Sequence, residues 1–146
     1  MRPAAELSER FRANGLKVTP QREAVFRALQ GNERHPTAES VHAAVLADRP
    51  NVSLRTVYQV LNDLTAMGEI NALDLGTGAA RFDPNVDAHH HLVCTECGTV
   101  RDVYLDPLVV PAATDAAFTI TSVELVFRGL CATCSPSPTP KEQQRA

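Results

Sequence analysis

Long apolar runs are missing from this chain. No segment approaches the roughly 18 to 20 apolar residues that a bilayer-spanning helix needs, and the opening MRPAAELSERF lacks the apolar core of a signal peptide. A cytoplasmic protein is therefore expected. Positive charge is not in excess either: the formal net charge is −3, which excludes a uniformly basic protein that coats nucleic acid. Aromatic residues make up only 5%, with no tryptophan, so a small unit built from this sequence needs some other source of stability. There is no internal repeat.

What is present divides unevenly. The 146 residues, 44% of them hydrophobic, suffice for one ordinary core or two small ones. From Met1 to Thr65 there are 9 Lys/Arg against 7 Asp/Glu, and from Ala66 to Leu130 only 3 against 9. The front half is mildly basic and the back half strongly acidic.

The front half reads as helices. AAELSERFRANG is a short amphipathic helix stopped by Gly15, and TPQREAVFRALQG restarts with Thr19 as N-cap and Pro20 in the first turn. HPTAESVHAAVLADRP offers Thr37 as N-cap. SLRTVYQVLNDLTAMG begins at Ser53, carries the stripe Val57, Val60, Leu61 and Leu64, and ends at Gly68. EINALDL and AARFD flank the turn sequence GTG as a β-hairpin. Three helices and a hairpin make a winged helix-turn-helix. With the stripe facing inward, Arg55, Thr56 and Gln59 point outward with Tyr58 at the edge, where a helix in the major groove presents side chains to DNA. Lys17, Arg22, Arg10 and Arg12 are candidate phosphate contacts.

The back half is β-rich. LVC and TVRDVYL straddle a Cys-x-x-Cys-Gly turn, LDPLVVPAATDAAF holds a short helix weakened by two prolines, and TSVELVFRG alternates as a strand leading into LCATC. The tail SPSPTPKEQQRA is expected to be disordered. The domains are thus 1–84, 85–134 and a tail at 135–146, an α+β organisation.

Cys94, Cys97, Cys131 and Cys134 form two Cys-x-x-Cys pairs separated by 33 residues. In a reducing compartment such pairs are read as metal ligands. A thioredoxin-like redox pair would begin a helix in a βαβ context, and neither pair does. Four thiolates suit a closed structural Zn²⁺ that clamps the last segment to the first turn. The histidines of HHHLVCTECG need a separate account. On a strand His89 and His91 share one face and His90 takes the other, with Asp83 and Asp102 within chain reach. The residues alone leave open whether this is a second metal site or a polar strand entry.

Taken together, GLKVTPQR, HPTAESV, PNVSLRTVYQVL, RFD, HHHLVCTECG and GLCATC resemble the ferric uptake regulator family of bacterial metal-dependent repressors over nearly the whole chain. The resemblance implies a winged-helix DNA-binding domain followed by a small α/β dimerisation domain with structural zinc. It further implies a homodimer on an inverted-repeat operator, and no enzymatic activity. It places the structural zinc on the four cysteines and a regulatory Fe²⁺ or Mn²⁺ on His35, Asp83, His89, His91 and Asp102. Iron-sensing members carry Glu where Asp83 and Asp102 stand, whereas the peroxide-sensing branch carries Asp at both. The chain thus resembles peroxide-stress regulators, in which Fe²⁺ and hydrogen peroxide oxidise a ligand histidine, here His35 or His89, and the repressor leaves DNA. An iron-responsive repressor is the alternative. Positions that some members use for a further site are Ala88 and Val123, which cannot ligate, and Gln59 replaces a basic residue common after the recognition-helix Tyr.

Two other classes fit less of the sequence. A metal storage or chaperone protein leaves the winged helix idle. A zinc hydrolase or deaminase needs His and Glu beside the cysteines, but Glu96 lies inside the knuckle and no His-x-Glu motif occurs.

Overall fold

The computed structural model describes residues 1–76, 78–105 and 123–135. Four helices come first: α1 (Ala4–Ala13), α2 (Pro20–Leu29), α3 (Ala38–Leu46) and α4 (Leu54–Ala66). The expected caps form. Thr19 Oγ1 accepts from the Arg22 N–H, Thr37 Oγ1 from that of Ser40 and Ser53 Oγ from that of Thr56, at 3.4, 3.2 and 3.1 Å. Each satisfies one donor that the first turn leaves without an intrahelical partner. Replacing Ser53 with Ala should cost about 1 kcal/mol, read as a lower denaturant midpoint with an unchanged slope; an unchanged midpoint would remove the cap from the account.

At the other end of α4, Gly68 adopts φ 68°. There its N–H reaches the Thr65 carbonyl while the Glu69 N–H reaches that of Leu64, the paired bonds of a Schellman stop. This turn takes Glu69 and Ile70 out of the hairpin. Its strands are therefore shorter than the alternation suggests, β1 (Asn71–Leu73) and β2 (Arg81–Asp83), antiparallel with Asn71 opposite Asp83.

The helical unit has the larger core. Leu7, Phe11, Val25, Phe26, Leu29, Val57, Val60, Leu61 and Leu64 are all fully buried, and the Phe11 and Phe26 rings meet edge to face at 4.8 Å. Glu69 is buried beneath it but paired with Arg2 and, at 3.0 Å, Arg10. An unpaired carboxylate there would be costly.

Among the described residues the second sheet has three strands, β3 (His90–Cys94), β4 (Val100–Val103) and β5 (Val126–Gly129), in the order β4-β3-β5. β3 and β4 form an antiparallel hairpin around the first Cys-x-x-Cys, whereas β5 joins β3 in parallel, with Cys94 opposite Gly129. The apolar cluster here is small: Leu73, Leu75, Val93 and Val100, with Val126 against them. Two of these come from the first hairpin, so the wing braces the second sheet. The fold is α+β, a winged helix-turn-helix followed by the small sheet of a dimerisation domain. The short helix expected within 105–118 and the tail beyond Ser135 lie outside the described residues. Among the described residues no helix is long and apolar enough to cross a membrane.

Candidate metal centres

The parallel register of β3 and β5 sets Cys131 beside Cys94 and Cys97. The Cys131 N–H donates to Cys94 Sγ at 3.4 Å, and Cys97 Sγ lies 3.7 Å from Cys131 Sγ. All four sulfurs lie within 4.8 Å of one another. No disulfide forms among them, and 3.7 Å is far beyond a bonded pair. It is close to the edge of a tetrahedron with Zn–S bonds of 2.3 Å, about 3.8 Å. The thiols differ in acidity. N–H groups around the knuckle, those of Cys97 and Cys131 first, bring Cys94 down to about 6. Hydrogen bonds to Cys131 and Cys97 push Cys134 up to about 12. A bound dication favours the thiolate form that ligation requires. The cluster fits zinc.

The second group is drawn from both parts of the chain. His35 precedes α3, Asp83 ends β2, His89 stands just before β3, His91 lies on β3, and Asp102 lies on β4. Their donor atoms lie within 4.8 Å of one another. His35 Nε2 is 2.8 Å from Asp102 Oδ1, His89 Nε2 is 2.9 Å from Asp83 Oδ2, and the Nε2 atoms of His89 and His91 face each other at 3.0 Å. The side chains of His35, Asp83, His89 and His91 are at most 3% exposed, and that of Asp102 22%. The strand parity of His89 and His91 therefore holds. His90, on the other face, accepts from the Leu125 N–H at 3.2 Å, a structural partner that sequence reasoning did not find.

Several of these atoms are close but not hydrogen-bonded. His35 Nε2, Asp83 Oδ2 and Asp102 Oδ1 are buried with no hydrogen-bond partner, although ion-pair distances link all three groups. Donor atoms of the five residues thus share one small space, within 4.8 Å of one another, while these three satisfy no hydrogen bond. Orphaned buried polar atoms are costly, and an ion in that space would satisfy them. Tautomers agree. His89 Nδ1 lies 2.7 Å from the Asp87 carbonyl, which can only accept, so the ring proton sits on Nδ1 and the Nε2 lone pair faces inward. Burial lowers the pKa of His35, opposed by the charges of Asp83 and Asp102, which favours the neutral imidazole a metal requires. Three imidazoles and two carboxylates suit Fe²⁺ or Mn²⁺.

Backbone geometry adds to this. His35 is the only non-glycine residue with positive φ among the described residues, at 48°, a conformation costing on the order of 1–3 kcal/mol. Arg81 holds it there: its guanidinium donates to the His35 carbonyl at 3.1 Å and to the Gly98 carbonyl, beside the cysteine knuckle, at 2.8 Å. Arg81, Asn85, Asp87 and Glu124, the last 3.4 Å from His91 Nδ1, are the supporting residues that sequence reasoning missed. Asn85 alone carried a signal, its place in the turn sequence Asp-Pro-Asn.

The candidate DNA face is more mixed. On α4, Arg55, Tyr58 and Gln59 are exposed and Thr56 half-buried, and Lys17 is exposed before α2. The Tyr58 hydroxyl donates to Glu39 at 2.7 Å. Arg22 is less free: it donates to the Lys17 carbonyl at 2.9 Å, lies 3.7 Å from Asp63 and stacks 5.7 Å from the Phe11 ring centroid.

Residues 13–128 match the profile of the ferric uptake regulator family. The peroxide-responsive repressor PerR of Staphylococcus saprophyticus is 33% identical over 127 residues, covering 85% of this chain and 86% of that protein. The ferric uptake regulator of Pseudomonas aeruginosa, solved with manganese, superposes with a TM-score of 0.63 at 28% identity, covering 90% of this chain and 99% of that one. That of Helicobacter pylori superposes with a TM-score of 0.75 at 24% identity, covering 92% and 93%.

Proposed function

From the chain's membership of the ferric uptake regulator family, and so of a class of metal-responsive transcriptional repressors, we propose that this protein is a peroxide-sensing one. The carrying observation is the gathering of His35, Asp83, His89, His91 and Asp102, with donor atoms within 4.8 Å of one another and buried atoms without hydrogen-bond partners among them. Both carboxylates are aspartates, and relatives at 33% identity are named peroxide-responsive repressors. Domains 1–84 and 85–134 carry DNA binding and dimerisation, and the four cysteines hold the structural Zn²⁺.

His35 and Asp83 come from the first domain and His89, His91 and Asp102 from the second. Binding across this seam favours one domain arrangement by its differential affinity. The favoured arrangement is a homodimer whose two α4 helices reach successive major grooves of an inverted repeat. Arg55, Thr56, Tyr58 and Gln59 face bases and phosphates there, with Lys17 and Arg22 at the flanks. Fe²⁺ held by these five residues would mediate electron transfer from a ligand imidazole to hydrogen peroxide. His35 or His89 would give up two electrons and gain one oxygen atom at a ring C–H, the other oxygen would leave as water, and the oxidised imidazole would cease to hold the seam.

The test is a gel shift with each metal. Mn²⁺ should support DNA binding that survives peroxide, and Fe²⁺ binding that peroxide abolishes. Equal loss with both metals would sink histidine oxidation, and survival with both would favour an iron-responsive repressor. Mass spectrometry adds a direct reading. Trypsin releases His35–Arg55, because Arg49-Pro50 resists cleavage, and Phe82–Arg101; a one-oxygen gain is expected on one or both.

A further inference from the structure

The five converging side chains come from distant parts of the chain, yet three of them are tied to Asn85. Its backbone N–H donates to Asp83 Oδ1 at 2.8 Å, and its side-chain amide donates to Asp102 Oδ2 at 2.8 Å and to the Tyr104 hydroxyl at 2.7 Å. Its Oδ1 accepts from the Asp87 N–H at 3.2 Å, and the Asp87 carbonyl in turn accepts from His89 Nδ1. Its own carbonyl accepts from Asn71 Nδ2 on β1 at 3.1 Å. Every polar group of Asn85 is thereby engaged, so it is held rather than merely adjacent.

The bonds fall on one oxygen of each aspartate. Asp83 Oδ1 and Asp102 Oδ2 are taken by the Asn85 backbone N–H and amide, while Asp83 Oδ2 and Asp102 Oδ1 face the imidazoles without hydrogen-bond partners; Asp83 Oδ1 stands farther off, 3.7 Å from His35 Nε2. Asp102 is the more exposed aspartate, and it lines with Asn85 and Tyr104 an open cleft of about 1060 Å³. A carboxylate at such an edge is free to turn both oxygens inward unless something holds one of them. We propose that Asn85 is a positioning residue that restricts each aspartate to one metal-facing oxygen, and so fixes the protein's donors at five. Five donors leave a divalent ion of octahedral habit short of one ligand. Without the amide, Asp102 supplies the sixth and closes the ion to small molecules.

This rests on the regulatory centre proposed above, and the test separates the two. Protein carrying one Zn²⁺ per chain on its cysteines is titrated with Co²⁺, whose visible d–d absorption weakens as coordination rises from five to six. The wild-type protein should give the stronger five-coordinate bands, and Asn85→Ala the weaker six-coordinate ones at unchanged zinc content, with Mn²⁺ affinity altered roughly 10- to 100-fold. Asn85→Leu keeps the bulk without the amide and should match Asn85→Ala, even if the smaller side chain loosens the loop. Bands of the six-coordinate kind in the wild type, or identical spectra for wild type and both variants, overturn the role of Asn85 alone. A wild-type protein that takes up neither Co²⁺ nor Mn²⁺ beyond its zinc overturns the regulatory centre and the role of Asn85 with it.

Discussion

Cys131→Ser should release the structural zinc and, with it, the second sheet. Among the described residues the apolar cluster of that sheet has four buried members, Leu73, Leu75, Val93 and Val100, a small core of the kind that a structural metal commonly supplements. Binding of structural Zn²⁺ in small finger domains is worth on the order of 10–16 kcal/mol, which exceeds anything the cluster provides. Cys131 lies two residues beyond the end of β5, whose Gly129 lies opposite Cys94. Loss of its thiolate thus removes the clamp where the two strand ends meet. The hydroxyl of serine is a poor substitute for a soft sulfur donor. The expected result is near-zero zinc by elemental analysis, a monomer in sedimentation, and no operator binding at any Mn²⁺ concentration. The helical unit, whose core is separate, should keep its far-ultraviolet helical signal. Full zinc content with an unchanged sedimentation coefficient would show that the cysteines are not the staple.

Removing His35 should uncouple rather than unfold. Glycine is the informative replacement, because it accepts the left-handed backbone that His35 occupies at φ 48°, whereas alanine would be strained there. His35→Gly retains four of the five donors, so Mn²⁺ should still bind, on the order of 100-fold more weakly if ligand loss costs at least what loss of a supporting hydrogen bond does. The effect on DNA is the larger one. Couplings of this kind are typically 1–3 kcal/mol, or 5- to 150-fold in affinity. Most of it should be lost, because with His35 gone only Asp83 would connect the winged helix to the ion. Operator affinity measured with and without saturating Mn²⁺ should then differ far less than in the wild type. A metal-dependent gain of wild-type size in His35→Gly would show that the ion acts without this ligand.

What the sequence made legible was mostly local. Thr19, Thr37 and Ser53 announce helix starts because a cap bonds within three residues, and the stripe of α4 is a property of one helix. The cysteine pairs and the parity of His89 and His91 are equally short-range signals. The long-range partners were not legible. His35 carries no local mark of a ligand; it became a candidate only through the family resemblance, because its role depends on a loop conformation held by Arg81, 46 residues away. Asn85 reads as an ordinary turn residue until its amide is seen to reach Asp102, 17 residues on. Arg10 and Arg22 read alike as surface charges available to phosphate, yet Arg10 pairs with buried Glu69, and Arg22, 3.7 Å from Asp63, would have to turn from that carboxylate to reach DNA. Charge alone does not tell a free guanidinium from one already engaged within the fold.

The parallel pairing of β3 with β5 sets the order in which this protein is assembled. Partners such as His91 and Val126 are 35 residues apart, and parallel pairings over such separations form slowly. The helices rely on contacts of short sequence span and emerge first from the ribosome, so they reach their native arrangement while the last strand is still being made. With the proposed zinc on the four cysteines, its capture would be the closing event of biogenesis. A cell short of zinc would then accumulate chains with a finished winged helix and no means to pair, a pool that newly supplied zinc would convert to working dimers without new synthesis.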